Sequence, residues 1–274
     1  MPDNIDRIVP IEASALMTTL QQTPPSARTA CSAWQAHDIA AHLAAGAKEH
    51  ADLIEHRLSG HGERATRDFE EREAPFRALD QDTLMSRLGE EIARKARAYA
   101  ALLQAGDPSI GFTGTRITKE KSETHSRSEA ALHRWDITGD DDTSPALLAQ
   151  PLLVEHAVWV LNNMPILNES AHGLGARATA LTSAAVTVVL RAAEEPDVVV
   201  HLDGDASRLQ IQPEASAADL VVTMAAHHRP LMLWGRRPAA LAPTIEGNRW
   251  ACSNASSGPP PHGGRDRCPT NGAR

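Results

Sequence analysis

The sequence predicts an α+β fold, in which a bundle of helices is followed by a small α/β domain. Apolar residues recur at helical spacing as far as about Asn168, and short β-branched runs replace them after about Ala171. The last residues are rich in Gly, Pro, Ser and Arg and lack apolar periodicity. These changes predict a helical bundle over residues 1–170, a small α/β domain over 171–252 and a disordered tail over 253–274.

Five helices are predicted in the first part of the chain. They cover residues 10–22, 32–59, 80–105, 128–137 and 151–163. Ser32 is the predicted N-cap of the second helix, and Asp80 or Asp82 that of the third. The charged stretch 60–78 is predicted to be a loop or a short irregular helix, and residues 108–118 a loop. Short connections between such helices favour antiparallel neighbours.

The small domain is predicted from β-branched and alternating runs. Strands are expected at residues 185–191, 197–202 and 208–212. Residues 216–224 mix helix-starting residues with a strand signal, and residues 228–234 have a helical pattern.

Composition excludes several functional classes. The chain has 274 residues, a formal charge of −8 and no long basic run, which argues against a nucleic-acid partner. Its most apolar window, residues 151–167, contains Glu155 and His156 and is too polar for a membrane span. The start of the chain lacks the pattern of a signal peptide, and three separated cysteines form no disulfide framework. We therefore expect a soluble, reduced, cytoplasmic protein with no membrane partner.

Polar residues on apolar helical stripes indicate where the chemistry lies. His42 shares a stripe with Ile39 and Leu43, and Glu129 and His133 lie one turn apart on the stripe of a later helix. Burying an unpaired carboxylate costs several kcal/mol, on the scale of a domain's whole stability. A divalent cation held by this carboxylate and the two imidazoles would compensate, and it would keep coordination positions open for water or substrate.

Other residues leave alternatives to this ligand set. A single inward histidine is often a hydrogen-bonded core residue, and Glu-x-x-x-His also occurs by chance on helices. His50 lies two turns after His42 and could reach the same cavity as a fourth ligand, whereas His37 should not. Asp38 and Asp136 are possible ligands, and Asp136 is better placed as an acceptor that orients a histidine ring. The simplest interpretation of the following histidines is that they lie on the surface or in loops: His56, His61, His125, His156, His227 and His228.

Three segments carry a resemblance to a known family. The first is WQAHDIAAHLA at 34–44 and the second is EAALHRWD at 129–136. The third has two parts, ADL at 218–220 and LWGRR at 233–237. In this order they resemble the mycothiol-dependent maleylpyruvate isomerase family, over most of residues 1–250. The resemblance implies a DinB-like four-helix bundle that binds a divalent metal, usually zinc, followed by a sterol-carrier-like α/β domain.

The resemblance also implies site residues and cofactors. The metal ligands would be His42, Glu129 and His133, and mycothiol would be the thiol cofactor or co-substrate. Arg236 matches the family's active-site arginine, although the pair Arg236 and Arg237 also suits a solvated helix end. Trp34 and Trp135 are expected to pack in the bundle, and Trp234 in the small domain. The family's closing turn is only partly kept, at residues 246–248.

The implied reaction is cis-trans isomerisation by reversible addition of a thiol to a maleyl group. A cation favours the thiolate, and either the metal or Arg236 would stabilise the enolate formed on addition. The expected partners are therefore a small electrophile and a low-molecular-weight thiol. Three alternatives stay open: a mycothiol S-transferase, a non-catalytic metal-containing binding protein, and a regulatory protein that uses the bundle as an interaction surface.

Overall fold

The computed structural model describes residues 9–164, 184–204, 206–215 and 217–236, together with the backbone of residues 244–247. Within these residues helices come first and a sheet follows, which confirms the predicted α+β class. The predicted domain boundary near residue 170 and the predicted tail at 253–274 lie outside the described residues. None of the described helices is long and apolar enough to span a bilayer.

Eight helices are described in this part of the chain. They are α1 (Ile11–Gln22), α2 (Ala36–His56), α3 (Phe69–Arg77), α4 (Gln81–Gln104), α5 (Lys119–Thr138), α6 (Ser144–Leu148), α7 (Pro151–Asn163) and α8 (His228–Leu233). A π-helical turn, Arg57–His61, extends α2 as far as Gly60, whose φ of 86° ends regular helix geometry. The helices α1, α2, α4 and α5 share one apolar core, formed around Leu20, Ile39, Leu88 and Ala130.

The start of α2 differs from the prediction that Ser32 caps it. The helix begins at Ala36, and Gln35 and Asp38 form a reciprocal capping box. The backbone N–H of Gln35 donates to the Asp38 carboxylate at 2.8 Å. Residues before Gln35 instead form a turn, in which the Trp34 N–H donates to the Cys31 carbonyl at 2.8 Å.

Two further segments have regular structure: the stretch 60–78, predicted to be a loop or a short irregular helix, and the stretch 108–118, predicted to be a loop. Residues 69–77 form α3, whose N-cap Asp68 accepts a hydrogen bond from the Glu71 N–H at 2.8 Å. Residues 109–118 form a hairpin of β1 (Ser109–Phe112) and β2 (Thr115–Thr118), so the loop prediction for 108–118 is wrong. Its turn residues Thr113 and Gly114 have φ values of 46° and 79°, as a tight two-residue hairpin turn requires.

The second part of the chain forms a five-stranded sheet. Its strands are β3 (Val186–Arg191), β4 (Asp197–Leu202), β5 (Arg208–Gln212), β6 (Leu220–Thr223) and β7 (Thr244–Gly247). The spatial order is β5-β4-β3-β6-β7, with β3 and β6 parallel and the other neighbours antiparallel. The structure confirms the first three predicted strands, resolves the mixed 216–224 segment into β6, and adds β7.

Helix α7 covers one face of this sheet. Val154 and Val158 share an apolar cluster with Val198 of β4. The Asn162 side chain also binds the backbone of Leu209, donating to its carbonyl at 2.9 Å and accepting from its N–H at 3.0 Å. The chain then returns through α8 to the helices. Trp234 packs against apolar clusters of the helical part, so the prediction that it packs within the small domain is wrong.

Candidate metal centre

Three side chains from two helices converge at the centre of the helical part. The Nε2 atoms of His42 on α2 and His133 on α5 each lie 3.2 Å from the same oxygen, Oε2 of Glu129. The potential ligand atoms of these residues all lie within 4.8 Å of one another. Glu129 and His133 meet because they are one helical turn apart, and His42 reaches them from the facing stripe of α2. The structure thus brings together all three residues predicted as ligands.

In both imidazole rings the second nitrogen, Nδ1, is hydrogen-bonded to a carboxylate. His42 Nδ1 donates to Glu73 Oε1 at 2.7 Å, and His133 Nδ1 donates to Asp136 Oδ2 at 2.9 Å. A proton at Nδ1 leaves the Nε2 lone pair directed into the site, as in metal-binding histidines that carry a carboxylate partner. Asp136 therefore accepts a hydrogen bond from a histidine ring, as its position in the sequence predicts. Glu73 was missed because the stretch 60–78, predicted to be a loop or a short irregular helix, has no clear apolar stripe that would show which side chains face inward.

Two arginines hold these carboxylates in turn. Arg77 donates to the second oxygen of Glu73 at 2.7 Å, one turn along α3. Arg236, which follows α8, donates to both Asp136 oxygens, through Nε at 3.1 Å and a terminal nitrogen at 2.8 Å. The structure therefore places Arg236 against the acceptor of His133 rather than at a solvated helix end.

The electrostatics of the centre favour positive charge at the two Nε2 atoms. Burial alone disfavours the charged His42 ring, but hydrogen bonds to Glu129 and Glu73 outweigh it and raise its pKa to about 9. The pKa of His133 is likewise raised, because Asp136 and Glu129 outweigh burial. Burial raises the pKa of the Glu129 carboxyl, yet hydrogen bonds from the two imidazoles hold it well below its usual range. A divalent cation would supply the charge that this arrangement favours.

Two further predicted candidates lie outside the cluster. His50 is buried and lines the same cavity, but its Nδ1 lies 2.9 Å from the Tyr99 hydroxyl. The Asp38 carboxylate also lines the cavity while it caps α2. His37 contacts Gln81 at 2.9 Å, away from the centre, as expected.

Three histidines predicted to lie on the surface or in loops are buried or half-buried: His125, His156 and His228. His125 Nδ1 and His156 Nε2 lie 3.0 Å apart, and His156 is fully buried. Burial and the neighbouring His125 lower the pKa of His156 to about 3. His228 is also buried. Tertiary contacts between α5 and α7 create this environment, and the spacing of the histidines gives no signal of it.

The centre opens into a cavity of about 2630 Å³. Trp34 forms part of its wall, with its ring 5.0 Å from that of His42 and 5.7 Å from that of His133. The Phe69 ring also stacks on that of His42, with ring centres 6.1 Å apart. Arg236 also lines the cavity. This volume exceeds that of pockets for a single drug-sized ligand, about 300–1,000 Å³.

Comparisons with known proteins agree with this architecture. Residues 11–138 match the family model described as the mycothiol maleylpyruvate isomerase N-terminal domain. The fold is similar to crystal structures of a mycothiol-dependent maleylpyruvate isomerase and of its histidine-to-alanine mutant. In each case the TM-score is 0.54 at 15% identity, over 91% of this chain and 92% of that chain. No curated protein matches the sequence significantly. At this identity the structural likeness shows the fold.

Proposed function

Residues 11–138 belong to the family of mycothiol maleylpyruvate isomerase N-terminal domains, and from this premise we propose that the chain is a metal- and mycothiol-dependent enzyme acting on a small electrophile. The observation that carries the proposal is the convergence of two imidazole Nε2 atoms on one carboxylate oxygen in a large cavity.

The donor set fits a divalent metal, for which we propose zinc. His42 and His133 would bind through Nε2, and Glu129 through its carboxylate. Among the described residues no fourth His, Cys, Asp or Glu joins this cluster, and three protein ligands are typical of catalytic zinc sites. Such an ion would favour the thiolate form of a thiol bound to it and would polarise a carbonyl oxygen.

The reaction that we propose is cis-trans isomerisation of a maleyl group by reversible thiol addition, with mycothiol as the thiol. Glu73 and Asp136 would hold the two ligand rings so that neither turns away from the cavity. Arg236 uses three of its five N–H groups on Asp136 and the Trp234 carbonyl. Arg236 lines the cavity, where its charge would stabilise the negative oxygen of an enolate.

The cavity and the chemistry define the partners of this enzyme. A cavity of about 2630 Å³ has room for a thiol of disaccharide size and a small electrophile together. The reaction needs a reduced thiol, so the cytoplasm is the compartment that the proposal implies.

Metal analysis of the purified protein tests the proposal. We expect stoichiometric metal in the parent and in His37→Ala, a control on the same helix whose ring contacts Gln81. His42→Ala and His133→Ala should lose most of it. If His42→Ala and His133→Ala both kept the metal content of the parent, these residues would not form a metal centre.

An assay with mycothiol and maleylpyruvate then tests the reaction. Isomerisation regenerates the thiol, whereas conjugation by an S-transferase consumes it. Product formation without loss of free thiol supports the isomerase, and loss of one thiol per product assigns transferase activity to the same centre. Turnover unchanged by the loss of the metal would contradict a metal-dependent mechanism of either kind.

A further inference from the structure

The cavity beside the candidate metal centre is lined by cations, and most of them are neutralised. Nine lysine and arginine side chains line it. Seven of these form ion pairs with a carboxylate: Arg64, Arg67, Arg77, Arg116, Lys119, Arg127 and Arg236. Within the described residues, the other two, Arg72 and Lys95, form no ion pair.

Arg72 is a buried guanidinium without a counter-charge in contact. It is 7% exposed, its Nε donates to the Asp68 carbonyl at 3.2 Å, and its guanidinium carbon lies 4.5 Å from the ring centre of Phe69. Glu49, Glu73 and Asp68 lie near enough to act on its charge, but none forms an ion pair with it and each has other partners, Asp68 as the N-cap of α3. Glu49 holds Arg64 and Arg67, and Glu73 holds His42 and Arg77. A buried, unpaired charge is costly, which makes Arg72 a strong anchor for an anion.

Lys95 supplies a second unpaired charge on the wall of the same cavity. Its ammonium group donates to the Ser126 hydroxyl at 2.6 Å. Both cations line the cavity into which the candidate metal centre opens. His50 lines the same cavity, and burial lowers its pKa, which the charges of Lys95 and Arg72 lower further. Glu123 and Glu129 act on the charge of Lys95, but neither forms an ion pair with it within the described residues.

We propose that Arg72 and Lys95 form an anion subsite that binds a carboxylate of the electrophilic substrate. The planar guanidinium suits a two-point contact with a carboxylate, and the ammonium adds a flexible point charge. Assignment of the anion to the substrate rests on the proposed function, whereas the anion subsite itself does not. Because the two cations and the metal ligands line one cavity, an unsaturated acid held by the subsite would lie in the cavity that the metal ligands face. The substrate class is then a small unsaturated carboxylic acid rather than a neutral electrophile.

Calorimetric titration with maleate tests the subsite. Arg72→Met and Lys95→Met should each weaken maleate binding roughly ten- to a hundredfold, because each removes a hydrogen bond to a charged group. Lys119→Met is the matched control, since this lining lysine is already paired with Glu123 at 2.5 Å. It should bind maleate within about twofold of the parent, in line with the small contribution of an exposed pair. Dimethyl maleate, which lacks charge, should bind far more weakly than maleate.

Further measurements separate this inference from the proposed function. Thermal unfolding checks that each variant folds, and Arg72→Lys, which keeps the charge but loses the planar fork, should fold and bind maleate with intermediate affinity. All titrations are repeated after chelation. Maleate binding that persists without metal and is lost in Lys95→Met supports the subsite even if the metal proposal fails. Equal maleate affinity in the parent, Arg72→Lys and Lys95→Met, or no maleate binding by the parent, would overturn the subsite.

Discussion

Arg236 and Asp136 are 100 residues apart in the chain and are joined by two hydrogen bonds, of 3.1 and 2.8 Å. Asp136 also accepts from His133 at 2.9 Å, so the segment after α8 is linked to a candidate metal ligand through one carboxylate. Burial raises the pKa of Asp136, but hydrogen bonds from His133 and Arg236 outweigh it and hold the pKa at about 2. The second part of the chain thus helps to set the geometry of the centre in the first.

Replacement of Asp136 tests this link. Asp136→Asn removes the charge that holds the His133 proton at Nδ1, and we expect metal affinity to fall about 10- to 100-fold. Competition with a chelator of known affinity measures the change. Asp142→Asn, at an exposed position of the following loop, is the control and should not alter metal affinity. Equal affinities for the two variants would contradict a positioning role for Asp136.

Glu73 plays the corresponding part for His42. Glu73→Gln weakens the hydrogen bond to His42 Nδ1, and we again expect a loss of about 10- to 100-fold in metal affinity. Glu70→Gln is a close control, because Glu70 binds the same arginine, Arg77, but does not contact the centre. The metal affinity of Arg77→Met should lie between those of Glu70→Gln and Glu73→Gln, because this variant removes a partner of Glu73 but leaves the carboxylate in place. The same chelator competition measures all three, and an effect of Glu70→Gln as large as that of Glu73→Gln would argue against this role.

The three converging residues could be predicted from the sequence because each lies on an apolar stripe of a long helix. A polar side chain on such a stripe must face the interior, and the i, i+4 spacing of Glu129 and His133 fixes their separation. The same reasoning predicts α7 and the strands β3 to β5, where the pattern is uniform and the ends are marked by Gly or Pro. The metal role of these residues stays a prediction.

Apart from Asp136, several features around the centre could not be predicted, for a physical reason. Glu73 lies on α3, a short charged helix that contains Pro75 and has no clear apolar stripe. The hairpin of β1 and β2 depends on two positive φ values, one of them at Thr113, a residue type that seldom adopts this conformation. The contact between His125 and His156 depends on how α5 packs against α7. Each feature arises from tertiary contacts that local spacing does not encode.

Glu49 is expected to anchor the segment that leads from α2 to α3. Its fully buried carboxylate accepts from Arg64 at 3.1 Å and from the Arg67 side chain at 2.7 Å. Glu49→Gln keeps an acceptor but loses the charge, and we expect the free energy of unfolding in urea to fall by about 2 kcal/mol. Glu55→Gln, which removes the exposed partner of Arg94, should cost less than about 1 kcal/mol. Equal losses of unfolding free energy in Glu49→Gln and Glu55→Gln would show that the burial of Glu49 adds nothing to stability.

His156 should make stability depend on pH. Its pKa is about 3 in the folded protein against 6.5 for a free histidine, through burial, His125 and Lys121, with Glu129 opposing. Between these values the unfolded chain binds a proton that the folded protein does not, so the free energy of unfolding falls as pH falls. His156 contributes up to about 1.4 kcal/mol per pH unit to this slope, about half of that at pH 6.5, and almost nothing above about pH 7.5.

Urea unfolding between pH 4 and pH 7 measures this contribution. His156→Gln keeps a polar group beside His125 and should unfold with a shallower pH slope below pH 6.5 than the parent. His61→Gln, at an exposed position, should keep the parent's slope. Identical slopes for all three proteins would mean that folding does not lower the pKa of His156.

Metal binding should couple α2 to α5, because the candidate ligands lie on both helices. His42 on α2 and Glu129 on α5 are 87 residues apart in the chain. An ion that binds only the folded protein stabilises it by about 2.7 kcal/mol at a hundredfold excess over its dissociation constant. Zinc at that concentration should therefore raise the unfolding free energy of the parent and of His37→Ala, but not of His133→Ala. Amide exchange should slow around His42 and Glu129 and stay unchanged in β3 to β5. Slowing that is equally strong in His133→Ala would place the ion elsewhere.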